Sequence, residues 1–114
     1  MKEEKFQVIN FIRKLIIVID KELSNFPKKD LELKNRIRIN SYDLLELCYE
    51  ANVTENLENK KRLLEKIIAK IKILDFLLNL CYDKMIINNK KYVKIGNRID
   101  DIIKYTSGWM KSIK

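Results

Sequence analysis

Lysine and arginine recur at helical spacing in two stretches of the chain. Residues 56–72 hold six basic residues against Glu58 and Glu65, and residues 84–98 hold five against no acidic residue. Side chains three or four residues apart share one face of a helix. We therefore expect two ridges of positive charge, formed by Arg62, Lys66 and Lys70 and by Lys91, Lys94 and Arg98.

Such ridges suit the phosphate backbone of RNA or DNA, because each neutralised phosphate releases counterions and gives sequence-independent, salt-sensitive affinity. The net charge of +8 also favours an anionic partner, for which nucleic acid or an acidic membrane surface are the usual candidates. Two plainer readings stay open. The ridges can be ordinary solvated helix faces, and the excess charge can reflect solubility or a genome that favours Lys, Ile and Asn codons.

The residues that usually perform catalysis are missing or isolated. The chain contains no histidine, which removes imidazole metal sites and the commonest general base. Carboxylates cluster in two places, without a nucleophile or a glycine-rich phosphate loop: Asp43, Glu46 and Glu50, and Asp100 with Asp101. We interpret them as partners for lysine and arginine on neighbouring helices, and we expect no catalytic residue, metal or cofactor.

Three further side chains have two readings each. Tyr82 and Tyr92 have the aromatic rings on which nucleobases stack, but Tyr92 lies on an apolar stripe, which favours core packing. Asp75 lies in an apolar stretch and would need a partner if buried, either Arg36 or Arg38 of the same chain or a residue of another subunit.

The stretch 63–82 predicts a central helix, running from about residue 56 to 84, that positions the first ridge. Its apolar seam has one residue at every seventh position: Leu57, Leu64, Ile71, Leu78 and Met85. Ile67, Leu74 and Cys81 fill the positions between them. From Ile73 to Tyr82 apolar residues surround the axis. We therefore expect this end to be covered on more than one side, by other helices or by another subunit.

Three more helices are predicted around it. Helix 1 spans about Glu3 to Ser24 and is ended by Pro27, and helix 2 spans about Leu31 to Ala51 with Asp30 as its N-cap. Thr54 or Asn56 caps the central helix, and helix 4 follows the turn at Asn88-Asn89. The apolar stripe of helix 1 comprises Val8, Ile12, Leu15, Ile19 and Leu23. That of helix 2 comprises Leu33, Ile37, Ser41, Leu44, Cys48 and Ala51, and that of helix 4 comprises Tyr92, Ile95, Ile99, Ile102 and Ile103. Gly96 should mark a close helix contact, and Gly108 should cap the C-terminus of helix 4.

The predicted fold is all-α, an antiparallel up-down-up-down four-helix bundle in one domain over residues 1–114. Cys48 and Cys81 both fall on apolar faces, which fits a reduced, cytoplasmic protein. No apolar run is long enough to span a bilayer, and the N-terminal residues lack the pattern of a signal peptide.

Several short motifs together resemble the Avd-like four-helix-bundle family. They cover most of the chain from Phe26 to Lys111 and read Asn25-Phe26-Pro27-Lys28-Lys29-Asp30, Leu33-Lys34-Asn35-Arg36-Ile37, Leu44-Leu45-Glu46-Leu47, Glu50-Ala51-Asn52, Leu74-Asp75-Phe76-Leu77 and Gly108-Trp109-Met110-Lys111. Avd is the accessory variability determinant of diversity-generating retroelements. The family also resembles the four-helix proteins of intervening sequences in bacterial large-subunit ribosomal RNA genes.

The resemblance implies a non-enzymatic basic bundle that forms a homopentamer and binds RNA and DNA. It also implies association with the retroelement reverse transcriptase, in support of mutagenic cDNA synthesis and retrohoming. The alternative is a helical protein-docking or scaffold bundle, in which an apolar surface around Phe76, Leu80 and Trp109 holds a partner and the charge serves only solubility.

Overall fold

Four α-helices account for nearly all of the chain. The computed structural model describes the backbone of residues 2–113 and the side chains of residues 7–113. The helices are α1 (Lys2–Glu22), α2 (Leu31–Val53), α3 (Leu57–Asp83) and α4 (Asn89–Ser112), and a single 3₁₀ turn, Lys28–Asp30, precedes α2. The described backbone contains no strand, so the prediction of an all-helical fold with four helices is confirmed.

The four helices pack around a shared apolar core. α1 and α3 each pack against both α2 and α4, and the molecule measures 45 × 23 × 19 Å. α3 has 27 residues and therefore runs about 40 Å, nearly the full length of the molecule. None of the described helices has the length and apolar content needed to cross a membrane.

Two asparagines begin the helices that carry the predicted ridges. Asn56 Oδ1 accepts a hydrogen bond from the backbone N–H of Asn59 at 2.9 Å, and Asn88 Oδ1 accepts one from Lys91 at 2.9 Å. Both are N-caps, which satisfy backbone donors that a helix leaves unpaired. Asp30 occupies the N-cap position of α2, but its side chain makes no capping hydrogen bond. Its carboxylate instead lies 3.3 Å from Lys84 Nζ.

The predicted seam of α3 is confirmed along its middle and is wrong at both ends. Six seam residues are buried: Leu64, Ile67, Ile71, Leu74, Leu78 and Cys81. Leu57 is 49% exposed because it is the first residue of α3, and Met85 is 88% exposed because it lies beyond the last turn. The stripes of the other helices also face the core, with Leu33, Tyr92 and Ile103 at its margin.

Both glycine predictions are wrong. A Cβ atom built at Gly96 meets nothing within 4 Å, so no neighbouring helix approaches closely there. α4 continues through Gly108, which does not adopt a positive φ, and the helix ends at Ser112. The turn of α4 that contains Gly108 also buries Trp109 in the core, and this burial favours continuation of the helix.

Candidate nucleic-acid interface

The first predicted ridge, the α3 ridge (Arg62, Lys66, Lys70), lies along the side of α3 that borders α2. Arg62 Nη2 lies 3.5 Å from Glu58 one turn away, and Lys70 Nζ lies 3.4 Å from Asp43 Oδ2 of α2. Lys66, between them, is exposed and forms no ion pair among residues 7–113. Successive members rise about 6 Å along the helix. Ion pairs this exposed are weak, so a phosphate can exchange for either carboxylate.

The second ridge, the α4 ridge (Lys91, Lys94, Arg98), runs along α4, and its first two members lie where α4 borders α1. Lys91 Nζ and Lys94 Nζ contact the two carboxylate oxygens of Glu22, at 3.7 and 3.4 Å. The Glu22 side chain is only 15% exposed, so the two lysines cover it. One carboxylate cannot neutralise two ammonium groups, and the pair keeps a net positive charge. Lys91 and Lys94 thus also hold α4 to α1, a role that the sequence did not indicate.

The structure does not combine the two ridges into one surface. Lys70 contacts α2, whereas Lys91 and Lys94 contact α1. Around the bundle the α2–α3 and α1–α4 boundaries are on opposite sides. A strand of nucleic acid on the α3 ridge therefore does not reach the α4 ridge of the same copy by a straight path.

Tyr82 and Tyr92 form a stacked pair at the end of α3 and the start of α4. Their ring centroids lie 4.7 Å apart with 16° between the planes, and the Tyr92 hydroxyl donates to Asn79 Oδ1. Tyr92 is half-buried against the core, as its place on the apolar stripe predicted. Tyr82 is 38% exposed and keeps surface available to a ligand.

Arg38 belongs to a small polar cluster between α1 and α2. Its Nε lies 3.6 Å from Asp20 Oδ1 and its Nη2 donates to the Tyr42 hydroxyl at 3.3 Å. The hydrogen bond to Tyr42, followed by the electrostatic interactions with Tyr42 and then with Asp20, raises the pKa of the guanidinium above its ordinary value. Arg38 thus pairs with Asp20 and not with Asp75. Asp75 is half-buried and forms no ion pair with any side chain of residues 7–113, so the condition of full burial that called for Arg36 or Arg38 is not met. A partner for Asp75 in another subunit stays a prediction.

The carboxylate clusters do not assemble into a metal site. No group of three or more candidate ligands is suitably placed within the part of the chain whose side chains are described. Asp43 pairs with Lys70 across the α2–α3 boundary, as predicted. The same prediction is wrong for the other four carboxylates, which form no ion pair among residues 7–113: Glu46, Glu50, Asp100 and Asp101.

The two cysteines are buried as free thiols. Burial raises the pKa of Cys48 from 9.0 to about 12. Burial also raises the pKa of Cys81 to about 11, where the charge of Asp30 adds to the increase and Lys84 opposes it. Both thiols stay protonated at neutral pH, and they fill core space as small apolar groups.

An apolar surface that the sequence located only in part lies beside the α3 ridge. Ile39 of α2 and Ile73 and Phe76 of α3 are 56%, 54% and 59% exposed. We call these three the α2–α3 apolar surface. They border a groove of about 340 Å³ whose other walls are Leu77 and four polar residues: Arg36, Asn40, Asp43 and Lys70. The helices of the same copy thus cover the apolar end of α3 only in part, because Leu74, Leu78 and Cys81 are buried whereas Ile73 and Phe76 stay exposed. The inclusion of Trp109 in such a surface was wrong, because Trp109 is 3% exposed.

Comparison with known proteins gives no relative. The chain matches no protein-family model, no curated protein and no solved structure. The resemblance to the Avd-like family therefore rests on the short motifs alone.

Proposed function

We propose that this protein is a non-enzymatic accessory bundle that binds the phosphate backbone of RNA or DNA, with the α3 ridge as its main contact. The observation that carries the proposal is Lys66, an exposed lysine without an ion pair among residues 7–113, flanked on one helix face by Arg62 and Lys70. A row of cations at about 6 Å intervals can follow successive phosphates of an extended strand. The net charge of +8 adds a long-range attraction that speeds encounter with a polyanion.

We further propose that successive helices run in opposite directions. Lys84 beyond the end of α3 contacts Asp30 before the start of α2, and Lys94 in the second turn of α4 contacts Glu22, the last residue of α1. Opposed ends in contact support an up-down-up-down antiparallel bundle. Buried free thiols support a cytoplasmic location, where cysteines are kept reduced.

A homo-oligomer is the third part of the proposal, with the α2–α3 apolar surface as the contact between copies. Three large apolar side chains exposed side by side are unfavourable in water, and association would bury them. The resemblance to the Avd-like family implies five copies and a reverse transcriptase partner, and hence a role in mutagenic retrohoming. Co-purification with a reverse transcriptase encoded beside this chain would test that partner.

A second candidate function is a protein-docking bundle with no nucleic-acid role. The α2–α3 apolar surface favours it, because grooves between helices accept an apolar helix of another protein. The two functions differ in how the binding affinity depends on salt concentration. Binding through phosphates weakens steeply as salt increases, whereas binding through an apolar surface does not.

The experiment changes the charge of the α3 ridge and measures affinity for labelled RNA and DNA by fluorescence anisotropy. The variant is Lys66→Glu with Lys70→Gln, since a glutamate at position 70 would face Asp43 and disturb the fold. The matched control, Arg13→Glu with Lys14→Gln, makes the same change of charge at two exposed positions on α1.

We expect the α3 variant to bind RNA and DNA about tenfold more weakly, with a salt slope shallower by about 1 to 2. The control variant should lose much less affinity, because Arg13 and Lys14 contribute only to the long-range electrostatic attraction. Equal losses in both variants would contradict the assignment of the α3 ridge.

A further inference from the structure

The turn between α3 and α4 displays an apolar side chain in a strained conformation. Met85 has φ 63°, the only positive φ of a non-glycine residue in the described backbone, and it is 88% exposed. The Ile86 N–H donates to the Cys81 carbonyl at 2.8 Å and the Met85 N–H donates to that of Tyr82 at 3.0 Å. These bonds form a Schellman motif, whose left-handed position usually holds glycine because a Cβ atom strains it. The chain thus presents a long thioether to solvent where glycine would fold with less strain.

Met85 forms one wall of an open recess of about 560 Å³. The other walls are Tyr82, Asp83, Ile87 and Asn88. The ring of Tyr82 is held by its stack on Tyr92, which is itself anchored to Asn79 by a hydrogen bond. The recess therefore combines a fixed aromatic ring and a flexible, polarisable side chain. Together they suit a flat apolar ligand.

Lysines are frequent in the segments that meet at this end of the bundle, although none lines the recess itself. We call this region the basic end and define it by Lys28, Lys29, Lys84, Lys90, Lys91 and Lys94. The contact between Lys84 and Asp30 brings the segment before α2 to the recess, and the contacts with Glu22 bring the end of α1 to the start of α4.

Part of the acidic charge at the basic end is already covered, whereas Glu32 and Asp83 are exposed. Asp30 and Glu22 are 9% and 15% exposed in their side chains, beneath the lysines that contact them. Lys28, Lys29 and Lys90 are exposed and form no ion pair with the side chains of residues 7–113. Asp83 is the one carboxylate that lines the recess, so an uncharged ring is favoured inside it. An anionic group is favoured outside the recess, next to the lysines.

We propose that the basic end binds an unpaired nucleotide of a single-stranded nucleic acid. The base packs against Tyr82 and Met85 in the recess, and the flanking phosphates contact Lys84 and Lys90. A duplex keeps its bases stacked inside and cannot fill the recess, so this site favours single strands. The inference rests on the proposed function, and it adds a surface separate from the α3 ridge and a preference for unpaired strands.

Two substitutions test it by anisotropy with a short labelled single strand and a blunt-ended duplex of the same composition. Tyr82→Leu keeps an apolar side chain but removes the ring, and we expect single-strand affinity to fall about 5- to 50-fold, with duplex affinity within about twofold of the wild type. Tyr49→Leu is the matched control, because Tyr49 is 45% exposed near the far end of α2 and should change neither affinity.

Met85→Gly separates the proposed role from a structural one. Glycine relieves the left-handed strain, so the melting temperature should rise by about 3 to 5 °C, while single-strand affinity should fall at least about threefold. A purely structural role for Met85 predicts the same rise in melting temperature with no loss of affinity.

The outcomes are distinguishable. Wild-type protein that binds neither probe at low salt overturns both the proposed function and this site. Wild-type protein that binds both probes, with Tyr82→Leu and Met85→Gly unchanged in affinity, overturns this site alone. Binding of anionic phosphatidylserine vesicles that both substitutions abolish, with oligonucleotide binding unaltered, would assign the basic end to a membrane surface and also overturn it.

Discussion

Replacement of Ile73 and Phe76 by serine should dissociate the oligomer. An aromatic side chain buries about 150 to 250 Å² when fully covered. Phe76 is 59% exposed, so association can cover about 90 to 150 Å² of it, worth about 2 to 4 kcal/mol at about 25 cal/mol per Å². Ile73, at 54% exposure, adds about 1 kcal/mol by the same rule. A total loss of about 3 to 5 kcal/mol weakens one contact between copies by about two to four orders of magnitude.

Light scattering coupled to size-exclusion chromatography measures the result. We expect the wild type to elute at a multiple of 13.7 kDa, about five times that mass if the implied pentamer forms. The double variant Ile73→Ser, Phe76→Ser should shift toward 13.7 kDa at the same concentration. A matched control, Ile17→Ser with Tyr49→Ser, removes an isoleucine and an aromatic residue that are also exposed, and it should leave the mass unchanged.

Two results would refute this reasoning. A wild type that stays at 13.7 kDa across the concentrations tested would show that the α2–α3 apolar surface does not join copies. An oligomer that the double variant leaves intact would place the contact elsewhere. Circular dichroism of each variant checks that helix content is preserved. The check is needed because Ile73 and Phe76 flank the buried residue Leu74.

Two further predictions concern stability. Gly96→Ala should raise the free energy of unfolding by about 1 kcal/mol, because alanine is the better helix former and its Cβ meets nothing within 4 Å. Chemical denaturation measures this gain. A lower free energy of unfolding in the variant would reveal a close contact at position 96. Cys48 and Cys81 have pKa values raised to about 12 and about 11, so above pH 9 the unfolded chain releases thiol protons that the folded chain retains. Stability should therefore fall as pH rises from about 9 toward 11, and the fall should be shallower in a Cys48→Ala, Cys81→Ala variant; identical slopes would contradict the raised values.

The helices could be predicted well from the sequence because their signals are local. Apolar spacing placed the buried stripes of α1 and α2 and the middle of the α3 seam. Asn56, one of the two predicted caps of α3, and Asn88, in the predicted turn, are the N-caps in the structure. The errors fall where tertiary packing decides. Gly108 has the chemistry of a helix cap, but burial of Trp109 keeps that turn helical. Gly96 suggested close packing, but the neighbouring helices leave space beside it.

The candidate site was less predictable, because it depends on which helix faces which. Spacing alone identified Arg62, Lys66 and Lys70 as one ridge, but it could not show that Asp43 pairs with Lys70 across two helices. Glu22 gave no signal in sequence, although it accepts two lysines of α4 from the far end of α1.

The left-handed backbone at Met85 gave no signal either. Glycine is the residue that usually reveals such a turn. The recess beside Met85 therefore became visible only once the end of α3 and the start of α4 were seen together.

The most direct test of the central claim is the affinity of the wild-type protein for a labelled mixed-sequence RNA, and for a DNA of the same sequence, across a salt series. We expect binding to both, with the logarithm of affinity falling linearly against the logarithm of salt concentration. An absence of binding to either at low salt would contradict it. In that case the charge of +8 would be only a solvated surface, and the protein-docking function would become the leading proposal.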